Sequence, residues 1–170
     1  MRTRVGYSGG KQQSPTYHDL GDHTESIEID FDPAVISYRE LLDVFWQEHS
    51  GTRDSFSVQY AAFVFTHGAE QARIANASRD ERQEALGSKI TTQVRPAGTF
   101  WRAEDYHQKY RLRHRTQLMA ALGPIYGTGQ EFVDSTAAAR LNGLCGGYGT
   151  GASVKRELRD LGLPDELLVD

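Results

Sequence analysis

The stretch TESIEIDFDPAVISYRELLDVFW, from Thr24 to Trp46, holds a strand pattern followed directly by a helix pattern. From Thr24 to Phe31 apolar and polar residues alternate, which places Ile27, Ile29 and Phe31 on one face. Strict alternation of this kind is typical of a strand with one face buried. We therefore predict a half-buried strand over Thr24–Phe31, with the isoleucines turned inward.

The second half of this stretch predicts an amphipathic helix. Ser37 and Glu40 are three residues apart, the spacing of a capping box, in which each side chain binds the other residue's backbone N–H. Apolar residues then recur at helical spacing, which predicts a helix packed on a core through Tyr38, Leu41, Leu42 and Phe45.

Outward from this stretch, the middle of the chain predicts two further strands around a surface helix. AAFVF, residues 61–65, is an apolar run of strand length, and ITTQV, residues 90–94, is a second. Residues 68–86 are rich in Ala, Glu, Gln and Arg, as in an exposed helix. The resulting order is strand, helix, strand, helix, strand.

The last third of the chain differs in composition from the part before it, with helical stretches separated by glycine-rich ones. AEDYHQKYRLRHR, residues 103–115, is helical in composition, and residues 123–129 are marked by glycine and proline as a turn. We predict a helix over about residues 133–141 and a final one, capped by Ser153, that runs toward Leu161. With no repeat or long linker, we expect one domain over 1–170: a core of about 1–115 and a helical, glycine-rich extension of about 116–170.

Composition excludes several classes of protein. A net charge of −4 and a pI near 5.9 argue against nucleic-acid binding, although RLRHR at 111–115 is a local basic run. No apolar run approaches the roughly 20 residues of a membrane span. The N-terminal MRTRVGYSGG carries no apolar secretory segment, so cytoplasm is the expected location. Cys145 is the chain's one cysteine, which excludes an internal disulfide and a multi-cysteine zinc site.

Five motifs along the chain resemble the MsrA-type peptide methionine sulfoxide reductases. They are VGYSGG (5–10), SPTY (14–17), GDHTE (21–25), FDPAVISYRELLDVFW (31–46) and AEDYHQKY (103–110). The resemblance covers roughly Val5 to Tyr110. It implies an α+β fold in two layers, a ferredoxin-like mixed sheet with helices packed on it. It also implies thiol-dependent reduction of methionine sulfoxide, free or in peptides, with no bound cofactor and with thioredoxin or another dithiol as reductant.

The resemblance also assigns site residues. Sulfoxide reduction requires a thiolate that attacks sulfur and acidic groups that protonate the oxygen. The family's Tyr of PTY, Glu of the HAE-like motif and Tyr of QY correspond to Tyr17, Glu25 and Tyr60. The family's Asp five residues before QY's Tyr is matched by Ser55 here, so Asp54, one position earlier, is a weak candidate for that role.

The attacking thiol is the part that the resemblance does not supply. In the family a Gly-Cys-Phe-Trp motif with the catalytic cysteine precedes VGYSGG, whereas here Met1 stands four residues before Val5. We therefore expect the chain to be shortened or inactive as written, or else a silent relative that binds methionine sulfoxide or thioether side chains or serves as an interaction module. LNGLCGGYG at 141–149 resembles the family's recycling tail, so Cys145 is either a resolving or substitute nucleophile, or a small buried hydrophobe.

The run HDLGDHTE, from His18 to Glu25, has the composition of a metal cluster. A turn rich in Asp and Gly explains the same residues, and their spacing matches no diagnostic ligand pattern. We therefore predict no metal site.

Overall fold

The computed structural model describes residues 1–53 and 55–163, and over these residues the chain is α+β. The strands are β1 (Arg2–Ser8), β2 (Thr24–Asp30), β3 (Phe63–Thr66), β4 (Gln93–Pro96) and β5 (Trp101–Arg102). The helices are α1 (Tyr38–Glu48), α2 (Ala69–Leu86), α3 (Tyr110–Arg113), α4 (Thr116–Tyr126), α5 (Gln130–Val133), α6 (Thr136–Cys145) and α7 (Gly151–Asp160). A short 3₁₀ helix spans Val58–Tyr60. The predicted α+β class is confirmed.

The strands form two small sheets, one with an antiparallel pair of strands and one with a parallel pair. One has the order β2-β1-β5, and β1 and β5 are antiparallel with Gly6 opposite Arg102. The other pairs β3 with β4 in parallel, from Phe63 opposite Gln93 onward. A Cβ atom at Gly6 would overlap the backbone oxygen of Trp101, so the close approach of β5 to β1 requires glycine there.

The strand and helix predicted over residues 24–46 are both present. Ser37 Oγ accepts from Glu40 N at 3.2 Å, and Glu40 Oε2 accepts from Ser37 N at 2.8 Å, which completes the capping box of α1. The predicted inward face of β2 is wrong at Ile27, which is 59% exposed. The neighbouring Glu28 is instead partly buried, because it binds the guanidinium of Arg4.

Several boundaries later in the chain differ from prediction. β4 begins at Gln93 rather than at residue 90. Helix α4 continues through Pro124 to Tyr126, where a turn was predicted from Gly123, because burial of Leu118 and Leu122 outweighs local turn preference. Of the residues 103–115, only Tyr110–Arg113 form a helix.

The chain divides into two compact units. The first comprises Met1–Val5, Ile27–Asp30 and Ala103–Asp170, and the second comprises Gly6–Ser26 and Phe31–Arg102. Each has an apolar cluster of its own. In the first the buried residues are Leu112, Leu118, Leu122, Phe132, Val133, Ala138, Leu141 and Leu158, and in the second they are Leu42, Trp46, Val64, Ala75 and Ile90.

In the first unit, two side chains bind the backbone of β1 next to the point where β5 ends. The amide of Gln108 accepts from Val5 N at 3.0 Å and donates to Val5 O at 2.8 Å, and it also donates to Ala103 O. Lys109 has a left-handed backbone, and its Nζ donates to both oxygen atoms of Thr3. These bonds explain why residues 103–109 are not helical: the side chains act as ladder partners for β1.

Arg4, on the same strand, holds three carboxylates of the first unit. Its guanidinium lies 2.6 Å from Asp134, 2.8 Å from Glu28 and 2.9 Å from Asp30. Glu28 and Asp30 of β2 and Asp134, which follows α5, therefore share one partly buried cation. Among the described residues, no helix is both long enough and apolar enough to cross a membrane.

Candidate active site

The loop between β1 and β2 is held by His23, a side chain only 1% exposed. Gly10 N donates to His23 Nδ1 at 3.2 Å, and His23 Nε2 lies 2.9 Å from Gln12 O. Because Nδ1 accepts from Gly10 N and the carbonyl of Gln12 requires a donor, this pair of hydrogen bonds matches the imidazole tautomer that carries its proton on Nε2. A Cβ atom at Gly10 would overlap Asp22 and His23, so this closure depends on glycine.

Asp22, which is exposed, also stabilises this loop through hydrogen bonds to its backbone. Its Oδ1 accepts from Lys11 N at 2.8 Å and from Gln12 N at 3.1 Å, and these backbone bonds lower the pKa of Asp22. In the run HDLGDHTE, Asp22 and His23 thus stabilise the loop between β1 and β2 by hydrogen bonds. Across residues 1–53 and 55–163, no three His, Cys, Asp or Glu side chains are grouped so that they could hold a metal ion.

Glu25 and the segment that carries Tyr60 are brought together by two side chains. The buried hydroxyl of Thr24 lies 2.9 Å from Gln59 O and 3.0 Å from Ala61 O, on either side of Tyr60. Gln59 Nε2 then donates to Glu25 Oε1 at 2.8 Å. The two predicted oxygen-binding residues are therefore anchored at one place in the second unit.

The predicted residues differ in what the structure shows of them. Glu25 is exposed, Tyr60 is 65% exposed, and Tyr17 is 38% exposed on the loop that His23 closes. Tyr17 lies edge-on to His18, with ring centroids 5.4 Å apart. All three belong to the second unit, whereas Asp54 lies outside the described residues.

Cys145 ends helix α6 and belongs to the first unit. Its side chain is half-buried and packs against that unit's apolar cluster. Burial raises the pKa of the Cys145 thiol, and the nearby Arg115 opposes this only in part. A thiol in this setting is less reactive than an exposed one, because less of it is thiolate at neutral pH.

Sequence reasoning did not identify the residues that assemble the site: Thr24, His23 and Gln59. His23 and Gln59 sit inside the His-x-Glu and QY motifs, so their position next to the assigned residues was the available signal. Thr24 gave none, since its role depends on a segment 35 and 37 residues away.

Comparison with known proteins identifies a matching family model and several relatives with the same description. The family model described as peptide methionine sulfoxide reductase matches residues 1–127. A peptide methionine sulfoxide reductase of Drosophila melanogaster is 42% identical over 165 residues, which cover 96% of this chain and 66% of the relative. Peptide methionine sulfoxide reductase A5 of Arabidopsis thaliana is 39% identical over 149 residues, which cover 84% of this chain and 58% of the relative. The chain thus spans about three fifths to two thirds of the length of these relatives.

Solved structures agree with this likeness. The reduced form of Mxr1 from Saccharomyces cerevisiae is similar with a TM-score of 0.60 and 28% sequence identity. The match covers 64% of this chain and 68% of that one.

Proposed function

Because this chain belongs to the peptide methionine sulfoxide reductase family, we propose that its second unit binds the sulfoxide group of methionine (S)-sulfoxide and supports its thiol-dependent reduction. The observation that carries the proposal is the joint anchoring of Glu25 and Tyr60. The hydroxyl of Thr24 binds the carbonyls of Gln59 and Ala61, on both sides of Tyr60, and Gln59 Nε2 donates to the carboxylate of Glu25. We assign Tyr17, Glu25 and Tyr60 to the sulfoxide oxygen.

The proposed chemistry needs these groups as proton donors. A thiolate attacks the sulfoxide sulfur, the S–O bond breaks, and the oxygen passes to the thiol as a sulfenic acid while methionine is released. Hydrogen-bond donors next to the departing oxygen stabilise the charge that develops on it. A second thiol then condenses with the sulfenic acid, which forms a disulfide and water. We propose a dithiol such as thioredoxin for that step, with no bound cofactor.

A second candidate function is favoured by Cys145 itself. Burial raises the pKa of this thiol, and it is the chain's one cysteine. If Cys145 does not attack the sulfoxide, this chain binds methionine sulfoxide or thioether side chains without reducing them.

One experiment separates these functions. N-acetyl-methionine (S)-sulfoxide is incubated with the protein and dithiothreitol, and methionine formation is followed by chromatography while binding is measured by calorimetry. Under the proposed function, Glu25→Gln and Tyr60→Phe each weaken binding, because each removes an ionisable group or hydroxyl at the oxygen site. Glu84→Gln, at an exposed position of α2, is the matched control and leaves binding unchanged.

Measuring turnover then shows whether Cys145 is the attacking thiol. Methionine formation that disappears in Cys145→Ser assigns the attacking sulfur to Cys145. Binding without turnover in the wild-type protein supports the silent function. If neither Glu25→Gln nor Tyr60→Phe changes binding, the proposed oxygen site is wrong.

A further inference from the structure

Phe56 is the most exposed large hydrophobic side chain among the described residues, at 108% of its reference area. It lies on the loop that leads into the 3₁₀ helix Val58–Tyr60. Burial of an aromatic ring stabilises a protein, and a ring that is fully exposed to water does not contribute this free energy. A ring held in this position is therefore suited to contact a ligand.

The turn that carries Phe56 is ordered by its own neighbours. Ser55 Oγ donates to Ser57 O at 2.7 Å and accepts from Ser57 N at 3.3 Å. These two bonds close a tight turn with Phe56 at its tip, and they satisfy the polar groups beside it. The exposed ring is thus presented by a closed turn.

Both ends of this loop are fastened to the second unit. Gly51 O accepts from Thr91 N at 2.6 Å, and Arg53 O accepts from the Thr91 hydroxyl at 3.0 Å. At the other end, Thr24 holds the carbonyls of Gln59 and Ala61. Phe56 therefore lies between two stretches of backbone that hydrogen bonds hold in place, residues 51–53 before it and residues 59–61 after it.

The distance from Phe56 to Tyr60 limits what can contact both. Four residues of fully extended chain span at most about 14 Å. A peptide bound with its sulfoxide at Tyr60 can therefore reach Phe56 with a residue within about four positions of the methionine. Residues 55–60, SFSVQY, carry no charge, and Val58 is also 50% exposed, so an apolar neighbour suits this surface better than a charged one.

We propose that Phe56 is a specificity-determining residue that contacts an apolar residue flanking methionine sulfoxide in an extended peptide. The inference rests on the proposed function, because it takes the sulfoxide to lie beside Glu25 and Tyr60. It narrows the substrates of that site to peptides in which an apolar residue flanks methionine sulfoxide.

The test compares three methionine sulfoxide probes by calorimetry: a nonapeptide with leucine at all four positions on each side of methionine sulfoxide, the same peptide with serine in place of leucine, and N-acetyl-methionine sulfoxide. Phe56→Ala weakens binding of the leucine peptide roughly tenfold, because an apolar contact is lost. It leaves the other two probes within about twofold. Phe56→Leu retains most of the affinity, and Val35→Ala, at a 78% exposed position of the same unit, leaves all three unchanged.

The outcomes keep the two proposals apart. Equal effects of Phe56→Ala on all probes, or no effect on the leucine peptide, overturn the role of Phe56. A wild-type protein that binds N-acetyl-methionine sulfoxide but not the leucine peptide also overturns that role. A wild-type protein that binds none of the probes overturns the proposed function, and the role of Phe56 with it. If that peptide binds equally well with methionine in place of its sulfoxide, and only Phe56→Ala weakens it, the oxygen site fails while the contact at Phe56 stands. Thermal unfolding of each variant verifies that the fold is intact.

Discussion

His49 packs between aromatic rings, and this burial changes its pKa. Its ring centroid lies 4.9 Å from that of Phe45 and 6.2 Å from that of Trp46, and its Nε2 lies 2.8 Å from the hydroxyl of Thr92. Burial lowers the pKa of His49 below its ordinary value of 6.5. The folded protein therefore favours the neutral imidazole.

This depressed pKa predicts a loss of stability in mild acid. Below pH 6.5 the unfolded chain takes up a proton at His49 that the folded chain resists, so this part of the stability is present above pH 6.5 and is lost as pH falls toward the folded pKa. Urea denaturation from pH 8 to pH 5 should show a shallower decline for His49→Gln than for the wild-type protein. An identical pH profile for the two proteins would show that His49 contributes nothing.

His23 predicts a second effect at the residue scale. His23→Ala removes the partners of Gly10 N and Gln12 O and leaves a cavity, so it should lower the free energy of unfolding by about 2–4 kcal/mol. His67→Ala, at an exposed histidine of the same unit, should change it by less than about 0.5 kcal/mol. Urea denaturation at pH 8 measures both, and equal effects would contradict the fastening role of His23.

At the scale of elements, the pairing of β1 with side chains is the feature most open to test. Gln108→Leu has a similar volume but leaves Val5 N and Ala103 O without this partner, which should cost about 2–4 kcal/mol. Gln108→Glu should cost at least as much at neutral pH, because a carboxylate would face the carbonyls of Val5 and Ala103. Gln47→Leu, at an exposed position of α1, is the control for both in chemical denaturation. A Gln108→Leu protein as stable as the wild type would show that the amide is dispensable.

The elements that sequence patterns predicted well are those stabilised by their own neighbours. Helix α1 needs only Ser37, Glu40 and an apolar stripe, all within one stretch of chain. Residues 103–109 were predicted as helix because their composition suits one, but their bonds to Val5 and Thr3 cross about a hundred residues. The same limit applies to the site: motifs identified Glu25 and Tyr60, whereas their joint anchoring through Thr24 depends on tertiary contacts.

At the scale of the whole molecule, the two apolar clusters predict two sets of protected amides. Leu141→Ala in the first unit and Leu42→Ala in the second should each cost about 2–5 kcal/mol, since both side chains are buried. Hydrogen exchange should accelerate first around the substituted cluster, because local opening follows the contacts that were lost. A uniform acceleration over both units in both variants would show that they open only together. That result would support the single domain predicted over 1–170.

The side chains that bind β1 have a consequence for how this protein behaves at high concentration. An exposed strand edge is a template on which another polypeptide can add a strand and begin to aggregate. Next to β5, the carbonyl of Thr3 is already occupied by Lys109, and both backbone groups of Val5 are occupied by Gln108. Two side chains thereby protect this part of the sheet against intermolecular strand addition, with no further strand required.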